Sequence, residues 1–347
     1  PSITSLIVKE PIGVVAGVVP WNFPLMMAVW KAAPALAAGC SVIIKPAEDT
    51  PLSALRIAQI AKEAGIPDGV FNVVPGFGDV GEALGRHNDV DAVSFTGSTE
   101  VGGLFMKYSG ESNLKTIGLE MGGKSPFLVL EDAKINDTLI DNAINSAFWN
   151  GGQNCSANMR QIIHSKVKDE FLDKVLKRVK NIKVGDPLDT ETNMGSMISK
   201  GHLAKVDGYI QKGIDEGASI LHGGVSDSNQ KGFFAKPTLF DNVKENMTIA
   251  QDEIFGPVLG VLTVNNTEEA LKIAKNSKYG LHASVFTQDI NKAFHIAKNL
   301  PCGTISINTF SEGDIKTPFG GYKQSGSLSR DQGTEALNQY LQTKTIW

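Results

Sequence analysis

The residues best placed to do chemistry surround Cys155, in Gly151-Gly152-Gln153-Asn154-Cys155-Ser156. Two glycines and a turn-prone asparagine let the chain bend tightly and present the next side chain. A thiol presented this way is a nucleophile wherever its thiolate is stabilised; an isolated cysteine is otherwise a small core residue. Glu120 has a similar setting, Gly118-Leu119-Glu120-Met121-Gly122-Gly123-Lys124, after an apolar stretch. A carboxylate there is a candidate general base, or else an exposed loop acid. Asn22, in Pro20-Trp21-Asn22-Phe23-Pro24, offers its amide as an oxyanion donor or as a cap for the helix that follows. Lys45-Pro46-Ala47-Glu48 falls at the carboxyl end of a strand-like run, where open α/β sheets bind ligands.

These groups need elements to hold them. Gly13 to Val19, Val42 to Ile44 and Phe127 to Leu130 are short apolar runs that read as buried parallel strands. Helical patterns alternate with them. Thr50-Pro51 predicts a cap and first-turn proline for a helix that stops near Gly65. Val167, Phe171, Val175 and Val179 repeat on one stripe of a second helix. The alternation predicts a doubly wound α/β architecture. Two glycine turns compete for a phosphate within it. Gly76-Phe77-Gly78-Asp79-Val80-Gly81 is a literal G-x-G-x-x-G after a strand-like run, with Glu100 near the spacing of a ribose-binding acid. Gly97-Ser98-Thr99-Glu100-Val101-Gly102 also follows a strand and opens a helix, where free amides hold anions. The residues alone do not choose between them.

The 347 residues are too many for one typical core and predict two α/β domains. A net charge of -4, with acids and bases mixed, argues against a nucleic-acid partner. Cys40, Cys155 and Cys302 are far apart with no CxxC spacing, which argues against disulfides and a metal site and predicts a reducing cytoplasm. No apolar run reaches the ~18–20 residues of a membrane span. The chain begins at Pro1 rather than at a methionine.

The segments PWNFP, KPAEDTP, FTGSTEVG, LEMGGKSP, GGQNCS, EIFGPV and PFGGYKQSG, in this order, resemble the aldehyde dehydrogenase superfamily from end to end. The pattern is most similar to gamma-glutamyl-gamma-aminobutyraldehyde dehydrogenases and related amino-aldehyde enzymes, and the ending Thr343-Lys344-Thr345-Ile346-Trp347 adds to this likeness. The resemblance implies a Rossmann-like NAD-binding domain over residues 10–119, its N-terminal portion lying outside this sequence, and an α/β catalytic domain over 120–335. It implies an oligomerisation element from residues 1–9 and 336–347, the strand from Asn338 onward pairing with one near Ser5 to Val8, in a homodimer or homotetramer.

By the same resemblance Cys155 is the nucleophile, Glu120 the general base, and Asn22 with the Cys155 amide the oxyanion hole. Lys31 would relay the proton from Glu120, with Gln342 standing where many relatives carry a partner glutamate. Val19, Trp21, Lys45, Glu48, Gly97, Ser98, Gly102, Glu253 and Phe255 would hold NAD, with Gly78 near the adenine rather than the phosphates. A carboxylate at Glu48 favours NAD over NADP. Phe23, Met27 and Trp30, on one face of the helix after PWNFP, would line an aldehyde tunnel with Ser311 and Phe319; a stripe of that kind is otherwise core. Glu312 and Asp314 would favour an ammonium-bearing aldehyde, or are solvated loop acids. The rival readings are a CoA-acylating enzyme, against which Glu120 argues; a thiol hydrolase, which lacks a histidine in any glycine-rich motif; and an inactive fragment or non-catalytic relative.

Overall fold

The computed structural model describes residues 3–227 and 231–347. Two units divide the chain. The first holds the residues up to Met121 together with Gly313–Gly320 and Gly326–Trp347, and the second Gly122–Glu312 with Gly321–Ser325.

In the first unit β1 (Leu6–Pro11) precedes an alternating run: β2 (Val14–Val18), α1 (Pro24–Ala37), β3 (Ser41–Lys45), α2 (Leu52–Glu63), β4 (Phe71–Val73), α3 (Gly78–Arg86), β5 (Ala92–Thr96), α4 (Thr99–Gly110) and β6 (Thr116–Glu120). Strands β2 to β6 form a parallel sheet in the order β4-β3-β2-β5-β6. Val15, Val42 and Ile44 pack into a cluster on one face, Ala16, Val93 and Phe95 into a cluster on the other. Burial on both faces is why these strands read as continuous apolar runs rather than alternating ones.

The expected helix after Pro51 forms, but Thr50 does not cap it. Pro51 itself occupies the cap position in the α region, without a side-chain cap bond, so the chain has already turned by then. The helix ends as expected before Gly65, whose φ of +87° is left-handed.

The second unit holds β7 (Pro126–Val129), α5 (Asp137–Phe148), β8 (Arg160–His164), α6 (Ser165–Lys180), β9 (Ser219–His222), β10 (Thr238–Asp241), β11 (Val258–Val264), β12 (Tyr279–Gly280), β13 (His282–Phe286), β14 (Thr304–Ile307) and β15 (Tyr322–Lys323). Its main sheet has the order β14-β13-β7-β8-β11-β10-β9, with only β9 antiparallel to its neighbour. Phe127 and Val129 enter one core cluster and Leu128 and Leu130 the other, the period of two expected of a strand buried on both faces. Phe171, Val175 and Val179 of α6 are buried against the first of these, as their stripe predicts.

Near the chain end β16 (Leu341–Ile346) pairs antiparallel with β1, from Leu6 opposite Ile346 to Pro11 opposite Leu341. The expected ladder is therefore present, although Asn338 ends a short helix instead of starting the strand. The division at Met121 lies close to the expected one, but residues 313–320 and 326–335 group with the first unit. Backbone pairing draws them there: Gly326 bridges Glu120, and Phe319 bridges Asp331.

Candidate active site

The nucleophile loop belongs to the second unit. Asn150, Gly151 and Gly152 all have left-handed backbone, with φ of 53°, 63° and 70°. A Cβ on Gly152 would lie 2.5 Å from the Gly256 carbonyl oxygen, so position 152 demands glycine for space as well as conformation. Gln153 then locks the turn, accepting from Ile198 N–H at 3.0 Å and donating to Asn150 O at 3.0 Å. The half-buried Cys155 follows. Its carbonyl packs so closely on Gly123 that a Cβ there would sit 2.7 Å away. Glycines of the two motifs thus serve two close backbone approaches within this unit, Gly152 to Gly256 and Gly123 to Cys155.

Cys155 is flanked by fixed polar groups. Asn154 Nδ2 donates to Glu312 Oε1 at 2.8 Å, and Asn154 Oδ1 accepts from Ser156 N–H at 3.1 Å. The same Oδ1 lies 3.8 Å from Cys155 Sγ, and Ser156 Oγ 4.0 Å from it. Burial raises Glu312, against the lowering effect of hydrogen bonds from Asn154 and Ser156. Glu312 is therefore no solvated loop acid, whereas Asp314 is exposed and accepts from Lys316 N–H at 2.9 Å. The loop carrying Ser311 and Glu312 is anchored by His282, whose Nε2–H donates to the Ser311 carbonyl at 3.0 Å while Nδ1 accepts from Asn158 Nδ2 at 3.3 Å. Burial pushes this imidazole down to about 4, so it is neutral in that role. Cys40 is buried and hydrogen-bonds the Tyr340 carbonyl, and burial pushes the Cys302 thiol up to about 12. Both are core cysteines, as expected.

Glu253 accepts from Gly123 N–H at 3.0 Å, and desolvation raises it to about 7. Phe255 has left-handed backbone, φ 61°, and its carbonyl accepts from His202 Nε2–H at 2.6 Å. Both belong to the second unit.

In the first unit, Glu120 ends β6 and is only 4% exposed. Its carboxylate packs against Gly320, where an added Cβ would lie 2.7 Å from Oε1. Asn22 stands in the turn between β2 and α1; Phe23, without a side-chain cap bond, holds the cap position, so the capping role open to Asn22 is not the one it has. Lys31, inside α1, forms a 2.6 Å ion pair with Asp331, the two side chains being 1% and 2% exposed. This corrects the expectation for Gln342. That residue lies in the exposed β16 strand and donates to the Ile12 carbonyl, while the carboxylate facing Lys31 is Asp331, eleven positions earlier in the chain. Asp331→Asn keeps an acceptor but removes the charge opposite a buried ammonium. It is expected to lower unfolding stability by about 1.5–3 kcal/mol in urea denaturation.

The strand order also distinguishes the two glycine turns. Chain progression reverses between β2 and β5, and ligands of open α/β sheets bind at such a switch point, beyond the carboxyl ends of the strands. Val19 and Trp21 follow β2 there, and Gly97 and Ser98 follow β5. Ser98 caps α4 by accepting from Val101 N–H at 3.3 Å, and Gly102 is buried in its first turn. The literal G-x-G-x-x-G instead follows the edge strand β4, with Gly78 exposed at the start of α3. Lys45 ends β3 and reaches Glu48 at 3.4 Å, a buried cation beside a half-exposed carboxylate.

Of the expected substrate residues, Trp30 and Phe319 meet edge to face, with ring centroids 5.4 Å apart. Phe23 is half-buried. Met27 is 5% exposed and belongs to the hydrophobic cluster against which Phe23 and Trp30 also pack. Among the described residues, no cluster of His, Cys, Asp or Glu is arranged to hold a metal, and no helix is long and apolar enough to cross a membrane.

The aldehyde dehydrogenase family profile matches residues 1–346, and the chain belongs to that family. It is similar to the aminoacetaldehyde dehydrogenase of Pseudomonas aeruginosa, 46% identical over 99% of this chain and 69% of that one. Among solved structures, an indole-3-acetaldehyde dehydrogenase in complex with NAD+ superposes with a TM-score of 0.96 at 46% identity, covering 99% of this chain and 70% of that one. The gamma-glutamyl-gamma-aminobutyraldehyde dehydrogenase of Burkholderia cenocepacia gives 0.95 at 46% identity, with 99% and 69% covered.

Proposed function

We propose that the chain oxidises ammonium-bearing aldehydes to carboxylates, with NAD as hydride acceptor and a thioester on Cys155 as intermediate. The observation that carries this reading is Cys155 on its left-handed glycine turn, backed by Gly123, in a chain of this family. The Cys155 thiolate adds to the aldehyde carbonyl carbon, and the Asn22 amide and Cys155 N–H stabilise the oxyanion. Bound NAD supplies the hydride acceptor. Glu120 then takes a proton from the water that hydrolyses the thioester, and Lys31, held by Asp331, passes that proton on. A buried carboxylate at 120 favours release by water over release by CoA.

The chain's own residues fit the cofactor. Lys45 beside Glu48 offers a donor and an acceptor for a ribose diol, and the Glu48 carboxylate repels a 2′-phosphate. Ser98 and the first-turn amides of α4, with Val19, Trp21, Gly97 and Gly102 around the same strand ends, suit a pyrophosphate. Gly78 would serve the adenine side, and Glu253 and Phe255 would hold the nicotinamide ribose and ring. Phe23, Trp30, Ser311 and Phe319 line the aldehyde path, with Glu312 and Asp314 supplying negative charge for an ammonium. The exposed β1–β16 ribbon is too small to stand as a sheet by itself, which supports a homo-oligomer, and the three free cysteines support a cytoplasmic setting.

The test is NADH formation from a panel of amino-aldehydes and plain aldehydes of equal length. Amino-aldehydes are expected to have the higher kcat/KM, by about three- to tenfold, and joint E312Q and D314N substitution to remove that preference. An unchanged preference would reject the ammonium-bearing substrate. Absence of NADH with every aldehyde, from folded protein, would reject the enzyme reading itself.

A further inference from the structure

We infer that Glu312 is a positioning residue for the nucleophile, clamping the side chains on both sides of Cys155 so that the resting cysteine is held as a thiol. The inference rests on the reading of Cys155 as nucleophile and goes beyond it by adding a group that sets its state. One carboxylate, 157 positions away in sequence, receives hydrogen bonds from Asn154 and from Ser156. A carboxylate only accepts, so the Asn154 amide has to turn its Nδ2 toward Glu312. Its Oδ1 is thereby aimed the other way, where Ser156 N–H donates to it and Cys155 Sγ lies 3.8 Å off. With its own proton directed to Glu312, the Ser156 hydroxyl likewise turns a lone pair toward Sγ, 4.0 Å away.

Two oxygen acceptors facing one sulfur accept an S–H and repel a thiolate. The arrangement is preorganised from outside the loop. Ser311, next to Glu312, has its carbonyl bound by the buried neutral His282 and by Ser306 Oγ at 2.8 Å. Asn158, which bonds His282, also accepts from Ser284 Oγ at 3.0 Å. The clamp keeps Cys155 in its less oxidisable, less alkylated form until the aldehyde is bound.

The experiment follows the rate of Cys155 alkylation by iodoacetamide against pH, with the modified peptide identified by mass spectrometry, in the wild-type protein, Glu312→Gln and Asn154→Ala. Glutamine at 312 presents a mixed amide instead of two acceptor oxygens, which frees Asn154 to turn Nδ2 toward the sulfur. The midpoint of alkylation is expected to move down by about half a pH unit or more in Glu312→Gln. Asn154→Ala is expected to shift in the same direction, and the double variant to shift no further than the larger single one, because both act through one contact. Turnover of a plain aldehyde is expected to lose kcat with little change in KM, and Glu312→Asp to restore part of it. Unchanged midpoints, or additive shifts in the double variant, would overturn the inference. Failure of the nucleophile reading looks different: wild-type turnover would then survive complete alkylation of Cys155.

Discussion

Cys155→Ala is expected to abolish aldehyde-dependent NADH formation, by on the order of 10⁴-fold or more, with the fold retained. The size follows from the chemistry. Without the sulfur no covalent adduct forms, so hydride must leave a bare aldehyde hydrate, and what remains is binding and orientation alone. The substitution is also small. Cys155 is half-buried and lies outside the core clusters, so removing its sulfur leaves no large cavity. Cys40→Ala and Cys302→Ala are the controls, since both thiols pack against core clusters. Those two variants are expected to lose stability and keep turnover. Turnover surviving in Cys155→Ala, measured on protein with an unaltered circular dichroism spectrum, would place the nucleophile elsewhere.

Much of this was legible in the sequence because it rests on local chemistry. Strands buried on both faces announce themselves as apolar runs, and α6 as a stripe of Val167, Phe171, Val175 and Val179. The GGQNCS turn is local too, needing left-handed backbone at 150 to 152. What stayed hidden depends on residues far apart in the chain. Asp331 opposite Lys31 is a pairing across 300 positions, and no spacing rule connects them; Gln342, read at the position of the relatives' glutamate, lies in β16 beyond the short helix Gly333–Asn338. The tie from Glu312 to Asn154 crosses 158 positions, and His282 carries no motif at all, being recognisable only through the carbonyl it holds. The two glycine turns were equivalent as strings. Strand order separates them, since only the second follows β5 at the reversal of the sheet. Thr50 failed as a cap because Pro51 had already entered the helical region.

Glu120→Gln is expected to separate the two halves of the reaction. Glutamine is nearly isosteric and fits the same space against Gly320, where the carboxylate packs, so the fold and the adjoining backbone bridge to Gly326 stay as they are. An amide cannot take a proton from water. Steady-state turnover should therefore fall by about 10²–10⁴-fold, the usual contribution of a general base. Formation of the thioester needs no water, so one NADH per chain should still appear in a burst. The acyl group should then remain on Cys155, visible as a mass increase on that peptide after rapid quenching. A burst with a stable acyl adduct assigns Glu120 to hydrolysis alone. Loss of the burst along with turnover would mean that Glu120 also takes the proton from the Cys155 thiol, and the pH dependence of alkylation in Glu120→Gln would then differ from that of the wild-type protein. A thiol held by Asn154 and Ser156 needs a base to release it before it can attack, so the expected burst assigns that release to a group other than Glu120, and loss of the burst assigns it to Glu120.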